Sequence, residues 1–236
     1  MNVHYSKKLP HAFVVRPDKL KKLVELFQNH VGKVAISVKC ADGFSREFKT
    51  VKELIGYENS KSKEIRYIRL SARSDNYSKS ASVDFAGGLF QRGVSIDFEA
   101  CEELVFQLRD KTHSIVEGMR PWYSWMSRIN FEFTALAIFF IFYLVVRQVR
   151  LWWPVLDQNI KPWVLIIILF LFIILLITAS FFGKKLFPPT AFTIGQGESR
   201  FKVLEKIRWG LVIAFFVSFG AGLVLLGVQI FLDKSL

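Results

Sequence analysis

The sequence predicts an α+β N-terminal cytosolic domain, a mainly antiparallel sheet with two amphipathic helices, followed by an all-α membrane domain of three transmembrane helices. Three observations carry this expectation. Trp163 to Phe182, WVLIIILFLFIILLITASFF, holds no charge and only Thr178 and Ser180 as polar side chains. About 20 apolar residues at ~1.5 Å rise match the ~30 Å hydrocarbon layer of a bilayer. The first half alternates apolar and polar residues in short runs bounded by turn signals, the period of half-buried strands. Charge crowds that half while Phe, Ile, Leu and Val crowd the other, so the 52% hydrophobic fraction and mean hydropathy of +0.31 average two unlike parts. The boundaries read as 1–118 for a sensor or interaction domain, 119–131 for an interfacial collar and 132–236 for the membrane part.

Taken in order, Met1 to Pro10 is polar and basic with no apolar run behind it, so no signal peptide is predicted and the N-terminus is expected to stay in the cytosol. Pro17 to Val31 places Leu20, Leu23, Val24, Phe27 and Val31 at helical spacing, with Pro17 in the first turn where its missing N–H costs nothing. Val34, Ile36, Val38 and Cys40 alternate with polar residues, and Asp42-Gly43 turns the chain toward Phe44, Arg46 and Phe48. A short helix is predicted at Val51 to Tyr57. Three strands follow at Ile65 to Arg73, Ser80 to Ala86 and Gly93 to Phe98. A second amphipathic helix then places Cys101, Leu104, Val105, Leu108 and Ile115 on one face. The strand connections are too short for parallel crossovers, so the sheet is expected to be antiparallel. Cys40 and Cys101 form no CxxC pattern and fall on apolar faces, the setting of buried reduced thiols.

Trp122, Tyr123 and Trp125, between Arg120 and Arg128, read as a membrane-interface collar, as do Trp152, Trp153 and Trp209 at the ends of the apolar segments. The spans are placed at about 132–153, 163–182 and 210–232. Between the last two lies a basic loop with Lys184, Lys185, Arg200, Lys202, Lys206 and Arg208, in which Gly195-Gln196-Gly197 reads as a flexible elbow before a surface helix. Nine Lys and Arg residues flank the spans on the side of the N-terminal domain (Lys111, Arg120, Arg128 and the six of the loop) against Arg147, Arg150, Lys161 and Lys234 opposite. The excess predicts a multi-pass membrane protein with a cytoplasmic N-terminal domain and its C-terminus outside.

Ala214, Ser218 and Gly222 recur every four residues, with Gln229 on nearly the same face; such a stripe lets helices pack, within the chain or in a homo-oligomer. No catalytic, cofactor-binding or metal-binding constellation is legible: the four histidines are scattered, and HExxH, GxSxG, P-loop and kinase signatures are missing. The chain is therefore expected not to be an enzyme and to have no small-molecule substrate. A net charge of +12 and a pI near 9.8 suit a lipid bilayer or a nucleic acid as partner. Arg66, Tyr67, Arg69 and Arg73 on one strand, just after Lys61 and Lys63, are the candidate partner-contact residues, with a solvated edge as the alternative.

The segment YENSKSKEIRYIRLSARS, the tryptophan-rich collar, the paired apolar segments and the loop FPPTAFTIGQGESR together resemble the transmembrane effectors of bacterial antiphage retrons, which are encoded beside a reverse transcriptase and its noncoding RNA. The resemblance implies a multi-pass effector of the bacterial inner membrane, its C-terminus periplasmic, held silent by the reverse transcriptase–RNA complex. On release it compromises the inner membrane and arrests growth in an abortive infection. The alternative is a non-toxic membrane anchor or scaffold that recruits a soluble protein or ribonucleoprotein through its N-terminal domain.

Overall fold

The computed structural model describes residues 2–87, 92–128 and 185–235 and isolated residues between 129 and 184; side chains are not described at 2, 92, 127, 128, 223 and 225–235. Its centre is a six-stranded antiparallel sheet in the order β1-β7-β6-β5-β3-β4. The strands are β1 (Asn2–Leu9), β3 (Lys33–Cys40), β4 (Ser45–Phe48), β5 (Ile65–Arg73), β6 (Ser80–Gly87) and β7 (Arg92–Cys101). Helices α1 (Pro17–His30) and α3 (Glu102–Glu117) cover one face, and the short α2 (Val51–Ile55) sits against α1 and β4.

The alternation in sequence decides which face is covered. Ile36, Val38, Ile68, Leu70, Val83, Phe85, Ile96 and Phe98 are buried beneath Leu20, Leu23, Phe27, Val105 and Leu108 of the two helices. Each such side chain contributes roughly 1.5–3 kcal/mol by leaving water. The intervening residues Ser37, Arg69, Ser71, Ser82, Asp84, Ser95 and Asp97 form the other, open face. Helix α1 starts with Pro17 at its first position, and α2 is capped by Thr50, whose hydroxyl accepts the Glu53 N–H at 3.2 Å.

The predicted strand at 65–73 is observed with those bounds, and the two after it are longer than predicted, β6 by one residue and β7 by four. Strand β7 extends to Cys101 because β1 pairs along its whole length, from Asn2 opposite Cys101 to Leu9 opposite Val94. Sequence alternation assigns no strand to Met1–Pro10. Lys7 and Lys8 hide the pattern, although Tyr5 stacks on Phe98 at 6.0 Å. Helix α3 consequently begins at Glu102, with Cys101 as its exposed N-cap residue, so only Cys40 of the two free thiols is buried.

A second, two-stranded sheet pairs β2 (Phe13–Val15) in parallel with β8 (Thr190–Phe192). The loop expected to lie between membrane spans is therefore part of the sheet domain's own core, with Phe192 and Ile194 buried beside Phe13 and Val15. Gly195 and Gly197 are not a flexible elbow. Gly195 has φ +51, and a β-carbon there would meet the carbonyl oxygens of Tyr57 and Glu58; one on Gly197 would meet that of Phe192.

The last helix, α4, runs without a break from Gln196 to Ser235. The basic surface helix expected from the sequence does run on into the stretch at 210–232. The two are one element because its charged opening turns are anchored on the sheet domain. Among the described residues no helix is long and apolar enough to cross a membrane. That finding overturns the predicted domain of three transmembrane helices and, with it, the multi-pass inner-membrane location with a periplasmic C-terminus. The segments predicted at 132–153 and 163–182 lie outside the described residues apart from isolated positions.

Candidate functional site

The docked return of the chain creates a cleft of about 650 Å³. One wall is the loop before β5 and the first residues of that strand. The other is β8 and the first turns of α4. The loop is shaped by Asn59, a 1% exposed residue in the left-handed region at φ 51. Its side-chain amide donates to Ile194 O at 2.9 Å and more weakly to Phe192 O at 3.5 Å, while its carbonyl accepts from Ile65 N at 2.9 Å. One buried side chain thus joins both walls. Thr190 Oγ1 donates to Ala86 O at 2.7 Å, and Thr193 Oγ1 donates to Val15 O at 3.0 Å, closing the far end.

Four cations line the opening: Lys61, Arg66, Lys185 and Arg200. Arg66 reaches it through an irregularity in the ladder. Cys40 pairs with Ile65 and the preceding Lys39 with Tyr67, so Arg66 is an additional residue on β5 and stands out of the sheet register. Such bulges re-aim side chains at strand ends. Arg200 is held in place by donation from Nη2 to Asn59 O at 2.9 Å, and it lies 3.7 Å from Glu64 Oε1. Its Nη1 is buried without a hydrogen-bond partner among the described residues. Among the described residues Glu64 is the one carboxylate lining the cleft, and Ile65, Phe192, Phe201 and Leu204 supply an apolar floor. The arrangement offers guanidinium and ammonium donors to an anion and apolar surface to whatever carries it.

The four residues predicted to contact a partner are divided by the structure. Arg66 lines the cleft. Tyr67, Arg69 and Arg73 lie on the open sheet face, where Arg69 binds Asp84 through two bonds of 2.7 and 2.8 Å and Arg73 stacks on Tyr77 at 5.4 Å. Tyr67 lies under Lys39 at 5.5 Å, and burial, reinforced by the Asp84 charge, pushes its hydroxyl up to about 12.

Of the loop cations, Lys185 and Arg200 enter the cleft, Lys202 pairs with Glu198 at 2.7 Å, Lys206 is exposed, and Lys184 lies outside the described residues. Arg208 is 1% exposed, donates from Nε to Leu186 O at 2.6 Å, and sits between the rings of Tyr123 at 4.1 Å and Phe201 at 5.2 Å. Tyr123 is fully buried, and burial pushes its hydroxyl up to about 12. Trp122 and Trp125 are exposed, and Trp122 meets Trp209 at 5.4 Å; Trp152 and Trp153 lie outside the described residues. Ala214, Ser218 and Gly222 are exposed along α4, and the side chain of Gln229 is not described.

Sequence reading missed Asn59, Thr190 and the packing role of Gly197. The signal for β8 was present, since Thr190-Ala191-Phe192 alternates between a Pro-Pro break and a Gly-rich turn. Among the described residues no group of three His, Cys, Asp or Glu side chains could hold a metal ion. No family model, no curated protein and no solved structure matches this chain.

Proposed function

We propose that this chain is a non-catalytic binding protein whose cationic cleft takes the phosphate backbone of an RNA-containing partner. The observation that carries the reading is the convergence of Lys61, Arg66, Lys185 and Arg200 against one carboxylate, over an apolar floor, at the seam between the sheet domain and the returning chain. Phosphates satisfy the cations, and unstacked bases have an apolar surface to lie on. This matches the role implied by the retron resemblance: an effector held silent by a reverse transcriptase and its noncoding RNA, and causing growth arrest when released.

Binding of a fluorescent single-stranded RNA to the full chain, followed by anisotropy across a salt series, tests the reading. Each phosphate contact adds about 0.7 to the slope of log K against log salt for a single strand. Lys61→Glu, Arg66→Glu and Lys185→Glu should each weaken binding and flatten the slope. Equal affinity of the wild type and all three variants would refute the cleft as the RNA site. Expression of the chain without its neighbouring genes should slow growth, and co-expression of an RNA-containing partner should relieve it.

A further inference from the structure

The open face of the six-stranded sheet carries a charge pattern that is complementary to itself. Register places four rows of side chains there. The β3 and β5 columns are basic, with Lys33, Lys39, Arg69 and Arg73. The β6 and β7 columns are acidic, with Asp84, Asp97 and Glu99. At the two edges the signs invert: Glu47 stands on β4 and Lys8 on β1. In a chain of net charge +12 this face is nearly neutral, which makes it a poor surface for a polyanion. The central row is built from small residues, Ala35, Ser71, Ser82, Asp97 and Ser6, leaving a shallow trough across the sheet.

We infer that this face is the contact between two copies of the chain, stacked sheet on sheet about a two-fold axis that runs along the strands between β5 and β6. Such an axis lays each β5 over the β6 of the other copy and each β3 over its β7, while preserving the row. Lys33 then faces Glu99, Arg69 faces Asp84, and Glu47 faces Lys8. Tyr67 lies over Ala86, a large side chain against a small one. Lys33, Glu99, Glu47 and Lys8 are exposed and have no ion-pair partner within their own copy among the described residues. A second copy supplies those partners. Six strands at ~4.8 Å and eight residues at ~3.3 Å give a face of roughly 760 Å², close to the ~800 Å² that each partner contributes to a standard stable interface. The small central row allows the ~10 Å spacing of packed sheets, and long Lys and Glu side chains at the flanks span the ~30° crossing of aligned sheets.

Sedimentation of the full chain over a concentration series, with charge reversal, tests this. Lys33→Glu and Glu99→Lys should each weaken dimerisation about tenfold, because each reversal acts at two symmetry-related pairs. The combined variant should return to within about threefold of wild type, because both pairs re-form with opposite sign. Glu47→Lys with Lys8→Glu forms a second, independent cycle for the case in which a single variant misfolds. A single-copy species at every concentration overturns the inference. So does association that neither cycle moves, which places the contact on another surface, such as the exposed apolar side chains of α4.

Discussion

Substituting Asn59 tests whether the returning segment belongs to the sheet domain. Asn59→Ala deletes the 2.9 Å bond to Ile194 O, which keeps Gly197 N as its other donor, and the 2.9 Å bond from Ile65 N, whose amide loses its acceptor at a site 1% exposed. Two bonds of this kind are worth about 1–1.5 kcal/mol each. Alanine at φ 51 adds a further ~1 kcal/mol, because Asn tolerates the left-handed region better than other β-carbon-bearing residues. The total, about 3–4 kcal/mol, corresponds to a change of more than a hundredfold in the local opening equilibrium. Asn59→Gly should cost about 1 kcal/mol less than Asn59→Ala, since glycine loses the bonds but not the backbone fit. Hydrogen exchange of the amides at 190–197 reads the opening directly, and urea unfolding reads the whole domain. Unchanged exchange at 190–197 in both variants would falsify the pinning role, as would equal effects of Ala and Gly for the backbone contribution.

Glycine, tyrosine and cysteine positions test other parts of the same geometry. Gly197→Ala, whose β-carbon would collide with the Phe192 carbonyl and the Asn59 amide, should open the cleft and raise exchange in β8. Gly210→Ala, where a β-carbon meets nothing within 4 Å, should change neither exchange nor RNA affinity. Tyr123→Phe should be within about 0.5 kcal/mol of wild type at pH 7, because the buried Tyr123 hydroxyl has no hydrogen-bond partner among the described residues. Its folded-state value of about 12 lies above the ordinary 10, so the stability linked to the protonated form is complete below pH 10 and is lost as pH rises toward 12. The loss is about 2–3 kcal/mol, which alkaline unfolding should show in wild type and in large part not in Tyr123→Phe. Under native conditions a thiol reagent should modify exposed Cys101 rapidly and buried Cys40 only on unfolding; equal rates would contradict the burial of Cys40.

What could be read in the sequence was what local periodicity encodes. Strands β3, β5 and β6, the Asp42-Gly43 turn and both amphipathic helices follow from alternation, helical spacing and turn chemistry, and they appear within a few residues of their predicted bounds. What could not be read depends on pairing between distant segments. Strand β1 has a weak pattern of its own and becomes a strand because β7 offers it an edge. Strand β8 is three residues long, and it pairs with β2 across more than 170 residues of chain. The same limit applies to the site. Lys61 and Arg66 were visible as a basic segment, and Lys185 and Arg200 as a basic loop, but only the Asn59 bridge brings them to one opening. Hydropathy erred in the opposite direction. It read residues 210–232 by composition as a span and the basic helix leading into them as lying at a membrane surface, while Gln196 and Arg200 of that helix are bound to Glu58 and Asn59 of the sheet domain.

The two surfaces differ in charge for a reason that bears on how they would work together. The open face is nearly balanced and suits a second copy, whereas the cleft holds four cations to one carboxylate and suits a polyanion. A two-fold axis along the strands keeps the direction of each strand, so both clefts, which sit where β5 begins and β6 ends, emerge at the same end of the dimer. One RNA strand long enough to reach both would bind bivalently, with the second contact made at an effective concentration near the millimolar range. Lys33→Glu, which lies on the open face and outside the cleft, should therefore weaken binding of a long single strand by tenfold or more and leave an octanucleotide unaffected. Anisotropy with the two lengths measures this. Equal loss for both lengths would mean that Lys33 touches RNA itself, and no loss for either would mean that the two clefts act alone.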